Sequence, residues 1–230
     1  IGDGVWCNPS MATMYYYQWG RVPYHQAWTW QQEQVQQRLA NPDLPDVVAL
    51  LEHEPVYTLG RGASLDFLRV PLEALGIPVY RTERGGEVTY HGPGQVVGYP
   101  ILRLSHYGLH VHQYLRCLEE IIIQALIPYG IRAGRKAAYT GVWVGDTKVA
   151  AIGIAVRRGI TMHGFAVNVC TDLAAFAQIV PCGIADYPVG NLVQFCPGLT
   201  VVEVQRELVQ ATERVLGVAM EQVPPISIRC

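Results

Sequence analysis

The sequence predicts an α+β fold, a mixed β-sheet with flanking helices. Three observations carry that expectation. Half of the 230 residues are apolar and only 16% are charged, the balance of a chain that buries a large core. Short runs rich in Val, Ile, Tyr and Trp recur and are bounded by Gly, Pro and Asn. Stretches of helical spacing lie among them without the strict strand–helix–strand alternation of a doubly wound parallel sheet.

Each element has its own local cause. Tyr15 to Trp19 is aromatic and reads as a first strand. Pro23 opens a Gln-rich helix to about Ala40, because a proline in the first turn lacks only an N–H that would have no helical acceptor. Val47 to Leu51 is a continuous apolar run, the mark of a buried strand. Thr58 to Gly62 reads as a loop, Leu65 to Leu75 as a short helix interrupted near Pro71, and Val79 to Arg81 as a strand. A Gly-rich segment from Arg84 to Gly98 flows into a strand over Val96 to Leu104. Val111, Leu115, Leu118, Ile122, Ala125 and Leu126 repeat at helical spacing, and Pro128 ends that helix. Thr140 to Val169 is β throughout, with turns at Gly145-Asp146 and Arg158-Gly159. Asp172 caps a short helix to about Val180; a Pro/Gly-rich loop from Pro181 to Gly198 leads into a last helix, Thr200 to Leu216.

No linker, repeat or low-complexity tract divides the pattern, so residues 11–230 are read as one domain and residues 1–10 as an N-terminal tail of uncertain status. No run of about 18 apolar residues is present, and no basic segment followed by an apolar one opens the chain. The six cysteines form no C-x-x-C and match no zinc ribbon or dense disulfide framework, so reduced thiols in a cytoplasmic protein are expected. The net charge of −2 selects no class of partner.

Several residues could carry chemistry. Arg84-Gly85-Gly86-Glu87-Val88-Thr89-Tyr90-His91-Gly92-Pro93-Gly94-Gln95 pairs glycines with donors; it is either a ligand-cradling loop or an ordinary hairpin loop. It matches neither a Walker loop nor a G-x-G-x-x-G fingerprint. The chain has 15 Arg but only two Lys, Lys136 and Lys148. Lys148 opens an apolar strand, where it is either a strand-end charge reaching solvent or a desolvated ammonium fit for proton transfer. Cys182, between Pro181 and Gly183, has the setting of an accessible thiol, unlike Cys117 in an apolar helix. A thiol with pKa near 8.5 is only about 3% thiolate at pH 7, and a neighbouring ammonium that lowers it by about two units makes it roughly three-quarters thiolate. His163 heads an apolar strand and is either a general base or a hydrogen-bonded structural histidine. His106, His110 and His112 lack a carboxylate or cysteine at ligand spacing, so no metal site is read there.

Taken together, R-G-G-E-V-T-Y-H-G-P-G-Q (84–95), G-D-T-K-V-A-A-I-G (145–153), H-G-F-A-V-N-V (163–169) and P-C-G-I (181–184) resemble, in order and spacing, the octanoyltransferases of lipoate biosynthesis. The resemblance spans roughly Gly20 to Leu216. It implies a fold like the biotin/lipoate protein ligase catalytic domain and a catalytic pair, Cys182 and Lys148. It implies substrate contacts from Arg84, Gly85, Gly86, Glu87, Val88, Thr89, Tyr90 and His91, from Ala151, Ile152 and Gly153, and from Gly164, Phe165 and Ala166. His163 and Gln95 are candidate supporting residues. Ala151 stands where some relatives carry Ser, which removes a hydroxyl but leaves backbone contacts.

The activity implied is transfer of an octanoyl group from acyl carrier protein to a lysine of a lipoyl domain, in a 2-oxoacid dehydrogenase complex or the glycine cleavage H protein, through a Cys182 thioester. No cofactor, metal, nucleic acid or membrane is implied, and no ATP is needed, because the donor is already an activated thioester. Because acyl carrier proteins are acidic, Arg132, Arg135, Lys136, Arg157 and Arg158, clustered in sequence, are expected to dock the donor. Two other readings compete: an ATP-dependent lipoate or biotin ligase on the same fold, and a non-catalytic carrier-binding domain. The Pro-Cys-Gly-Ile context of Cys182 argues against the ligase, and an intact Cys/Lys pair against the non-catalytic domain; a cysteine hydrolase is a weaker third reading, since its base would more usually be His.

Overall fold

The computed structural model describes residues 12–181 and 187–224; the N-terminal tail 1–10 and Cys182 fall outside them. Strands β1 (Thr13–Val22), β2 (Val47–His53), β6 (Gln95–Ile101), β7 (Gly134–Lys136), β8 (Tyr139–Val144), β9 (Thr147–Arg157), β10 (Ile160–Asn168) and β11 (Ala219–Gln222) form one mixed sheet in the order β11-β1-β2-β6-β10-β9-β8-β7. β11, β1 and β2 run parallel, and every pairing from β2 to β7 is antiparallel. A small sheet, β4-β3-β5, is built from β3 (Val56–Leu59), β4 (Val79–Arg81) and β5 (Thr89–His91).

The large sheet is buried on both faces, and the period of two in β2 explains how. Val48 and Leu50 face helices α2 (Val111–Leu126) and α3 (Val201–Leu216), whereas Val47, Ala49 and Leu51 face helix α1 (Tyr24–Ala40). α2 turns Leu118, Ile122 and Leu126 onto the sheet, each fully buried and each contributing about 1.5–3 kcal/mol of hydrophobic stabilisation. α1 buries Ala27, Trp30 and Val35 on the opposite face. α3 opens on a capping box: Thr200 Oγ1 accepts the Glu203 N–H at 3.3 Å and Glu203 Oε2 accepts the Thr200 N–H at 2.9 Å. The small sheet covers its own core of Tyr57, Leu59, Val88, Tyr90 and Phe176.

The expected elements are present with corrected boundaries. Thr58 and Leu59 belong to β3 rather than a loop, and the helix expected over Leu65 to Leu75 is two 3-10 turns, Leu65–Phe67 and Leu72–Leu75. Leu104, expected to end a strand, opens a 3-10 turn to Tyr107, and the helix capped by Asp172 is likewise 3-10, Leu173–Gln178. The sequence patterns miss β5, β7 and β11, which have three or four residues, too few for a period to register. Among the described residues no helix is long and apolar enough to cross a membrane.

Candidate active site

The register of β9 against β10 assembles the site. Ala151 lies opposite Ala166, Ile152 opposite Phe165 and Gly153 opposite Gly164, so two segments twelve or so positions apart in sequence become one surface. The Gly-rich loop closes over that surface, with the Gly85 N–H donating to Ile154 O at 2.9 Å. Gly153 permits the approach: a Cβ there would stand 3.0 Å from Gly85 O and 3.2 Å from Arg84 Cδ. The result is a cavity of about 350 Å³.

Arg84, Gly85, Gly86, Thr89, His91, Ala151, Ile152, Gly153, Gly164, Phe165 and Ala166 line this cavity, together with Lys148 and His163. Glu87, Val88 and Tyr90 do not. Glu87 accepts the Ser64 N–H at 3.0 Å, Val88 is fully buried in the small-sheet core, and Tyr90 packs against Tyr57 and Phe176. Period two separates Thr89 and His91 from Val88 and Tyr90, whose side chains face the small-sheet core, whereas Glu87 is engaged by the Ser64 N–H. Sequence reading missed Tyr24, Tyr99, Leu115 and Tyr139 on the walls. No local pattern marks them, because each enters from a separate element.

One side of the cavity is a closed polar network. Arg84, 7% exposed, donates from Nη2 to Thr58 O at 2.7 Å, Thr58 Oγ1 at 2.9 Å and Glu87 O at 2.9 Å, and from Nη1 to Gly85 O at 3.0 Å. The guanidinium therefore shapes the loop. Gln95 Nε2 donates to Tyr90 O and Asn168 Oδ1, which turns its Oε1 towards His91 Nδ1 at 2.7 Å and fixes Nδ1 as the protonated nitrogen. His53 donates from Nδ1 to Val22 O and accepts from the Tyr99 hydroxyl, both at 2.7 Å. Burial, above all, pushes the His53 pKa down to about 4 and that of His91 to about 3, so both rings are neutral.

Lys148 is a different case. Of the two readings open in the sequence, the structure selects the desolvated ammonium: the residue is only 5% exposed. Its backbone is tied to the chain that follows residue 186, with the Lys148 N–H donating to Pro188 O at 2.8 Å and the Gly190 N–H donating to Lys148 O at 3.0 Å. Its Nζ stands 5.2 Å from the Trp143 ring centroid, and among the described residues no carboxylate forms an ion pair with it. Gln95, Asn168 and Pro181 line a small cleft together with Lys148.

His163 occupies the other end. It is opposite Ile154 in the β9–β10 register, about 20 Å along the strand from Lys148 at roughly 3.3 Å per residue. That separation excludes it as a general base acting beside Lys148. Its backbone has a φ of 59°, a left-handed conformation rare outside glycine, and its N–H donates to Gln31 Oε1 at 2.8 Å. Nε2 lies 3.5 Å from Glu83 Oε2. Burial lowers the His163 pKa and Glu83 opposes that. Burial pushes the Glu83 carboxyl up, but His163, a backbone N–H and Trp28 outweigh it and hold it at about 2. His106, His110 and His112 do not converge: His106 meets Asp46 at 3.2 Å, whereas His110 caps α2.

The matched family model is the lipoyl protein ligase A/B catalytic domain, over residues 23–213. An octanoyltransferase of Gloeobacter violaceus is 55% identical over 88% of this chain and 90% of its own length. The chain belongs to the octanoyltransferases of this family. A Nostoc punctiforme octanoyltransferase is 51% identical over 91% of both chains. Among solved structures, a bi-partite lipoate protein ligase from Thermoplasma acidophilum superposes with a TM-score of 0.73 at 15% identity, covering 96% of this chain and 89% of its own. A lipoate-protein ligase A bound with ATP gives 0.70 at 15% identity, covering 95% and 90%. At such identity these two establish the shared fold. The chain is an acyltransferase enzyme of lipoylation.

The octanoyltransferase does not gather its basic residues into one patch. Arg135 Nε meets Glu119 at 3.0 Å and Lys136 Nζ meets Asp146 at 2.7 Å, whereas Arg157 ends β9 about 30 Å from Thr147, at roughly 3.3 Å per residue. The residues clustered in sequence thus lie on different strands, and Arg135 and Lys136 are each engaged by an acid.

Proposed function

We propose that this octanoyltransferase takes its acyl group from acyl carrier protein and passes it, through a thioester on Cys182, to a lysine of a lipoyl domain. The acceptors are lipoyl domains of 2-oxoacid dehydrogenase complexes or the glycine cleavage H protein, and the compartment is the cytoplasm. The observation that supports this reading best is Lys148: a buried ammonium on the cavity wall, sharing a cleft with Pro181, the residue that precedes Cys182 in the chain. An ammonium in that position lowers the pKa of a nearby thiol and keeps it nucleophilic.

The steps follow from that pairing. The Cys182 thiolate attacks the donor carbonyl; its C–S bond forms, the donor C–S bond breaks, and the departing carrier thiolate takes a proton from Lys148. The acceptor lysine, as its neutral amine, then attacks the enzyme thioester. The C–N bond forms, the C–S bond to Cys182 breaks, and the amine proton returns to Lys148, restoring the starting ion pair. The apolar wall of Ile152 and Phe165 and the glycines of the loop suit a flexible hydrocarbon chain better than a charged ligand. Cys117, whose thiol burial pushes up to about 11, is no competing nucleophile.

The test is transfer to an apo lipoyl domain from octanoyl-carrier protein, read by the acceptor's mass with and without ATP. Octanoylation without ATP is the expected result. Acceptor modification only with free octanoate and ATP would overturn the proposal in favour of a ligase.

A further inference from the structure

Lys148 is held from outside its own strand, by contacts that begin on helix α2. We propose that Glu119 is a positioning residue for Lys148, acting through the bulged segment Gly141–Trp143 of β8. The inference rests on the reading of Lys148 as the partner of Cys182.

The Glu119 side chain is fully buried. Its Oε2 accepts from Arg116 Nη1 at 2.7 Å and from Arg135 Nε at 3.0 Å, while its Oε1 accepts the Gly141 N–H at 3.1 Å. A buried carboxylate needs compensating donors, and two cations already supply them. The third donor ties the carboxylate to the site. Gly141 has a φ of 140°, and a Cβ there would stand 2.8 Å from Lys148 Cε and 2.7 Å from Ala150 O. The lysine stem therefore passes through the space a side chain would fill. Two residues on, Trp143 pairs directly with Lys148 across the strands and presents its ring to Nζ at 5.2 Å. The β8–β9 register shifts between Val142 and Trp143, the kind of irregularity that re-aims a side chain.

Stem and ammonium are thus both bounded by β8. A lysine is a long, flexible chain whose head can wander unless its stem is packed. Fixing the Gly141 amide fixes the wall, and the wall fixes the ammonium.

The experiment is the pH dependence of Cys182 alkylation by iodoacetamide, mapped on the Cys182 peptide by mass spectrometry. The full chain is compared with Glu119→Ala, Glu119→Gln, Gly141→Ala and Lys148→Met. Lys148→Met should return the midpoint to the ordinary thiol value of about 8.5. Glu119→Ala and Gly141→Ala should each raise it by about one pH unit, a tenfold loss of thiolate at neutral pH. Glu119→Gln keeps an acceptor for the Gly141 N–H and should recover most of that loss. An unchanged midpoint in Glu119→Ala and Gly141→Ala, with Lys148→Met raised, overturns the inference alone. An unchanged midpoint in Lys148→Met overturns the pairing of Lys148 with Cys182, and this inference with it. Should Glu119→Ala fail to fold, Glu119→Asp, which keeps a charge for the arginines but is one methylene shorter towards the Gly141 N–H, decides by the same criterion.

Discussion

The two polar sides of the cavity are buried to the same degree but organised in opposite ways. Around Arg84, His91, Gln95 and His53, donors meet carbonyls, amides and ring nitrogens at 2.7–3.1 Å, and every tautomer is set by its neighbours. Around Lys148, the described residues offer the ammonium an aromatic face and a small cleft. A fully satisfied network rigidifies what it touches, whereas a buried charge met only by an aromatic ring is costly unless something else uses it. The first side is therefore scaffold, which holds the Gly-rich loop in register over β9. The second side holds the charge to which the proposed mechanism gives the proton transfers. The difference teaches that burial alone does not mark a functional residue here; what its polar atoms are spent on does.

Four changes would break or sharpen that contrast, taken from the largest effect down. Lys148→Met should lower the rate of acyl-enzyme formation by about 10²–10⁴-fold, the span of general acid–base contributions. It should leave the thermal midpoint unchanged or raised, since replacing a buried charge by an apolar chain is rarely destabilising. Stopped-flow acylation and a melt, run together, check both halves.

Acid should act on the scaffold side instead. His53 and His91 bind protons near pH 4 and pH 3 in the folded chain but near 6.5 once unfolded. Between those values the unfolded chain binds more protons, so their contribution is fully present above pH 6.5 and is lost as pH falls through the folded values. From pH 7 to pH 5 the loss is about 3–4 kcal/mol for the pair, readable as a fall in the urea midpoint. His91→Gln should roughly halve it, and a midpoint equal at the two pH values would contradict the neutral assignment.

Gly153→Val places a side chain against Gly85 O and the cavity wall, and about a tenfold loss in kcat/KM for the octanoyl donor is expected, mostly in KM. The smallest effect belongs to Arg157→Ala on the far hairpin, where stability should change by less than about 0.5 kcal/mol by urea titration.

The sequence carried the fold class, the long elements and the motif segments, because those depend on local periodicity and on residue types. It could not carry the join between them. That Ala151 faces Ala166 follows from the β9–β10 register, and that His163 lies far from Lys148 follows from the same register read in the other direction. The basic residues show the same limit: close in sequence, Arg135 and Lys136 lie on β7 and Arg157 on β9. Glu119 gave no sign of its role, since a Glu after Arg116 on a helix reads as an exposed i, i+3 pair, and only tertiary packing buries it.

The most direct test of the central claim is intact-protein mass spectrometry after mixing the enzyme with octanoyl-carrier protein, without ATP, beside a Cys182→Ala control. The account predicts a single octanoyl adduct on the parent chain, none on the control, and discharge of the adduct when an apo lipoyl domain is added. An adduct of equal yield on Cys182→Ala, or none on either chain while transfer to the acceptor proceeds, would contradict it.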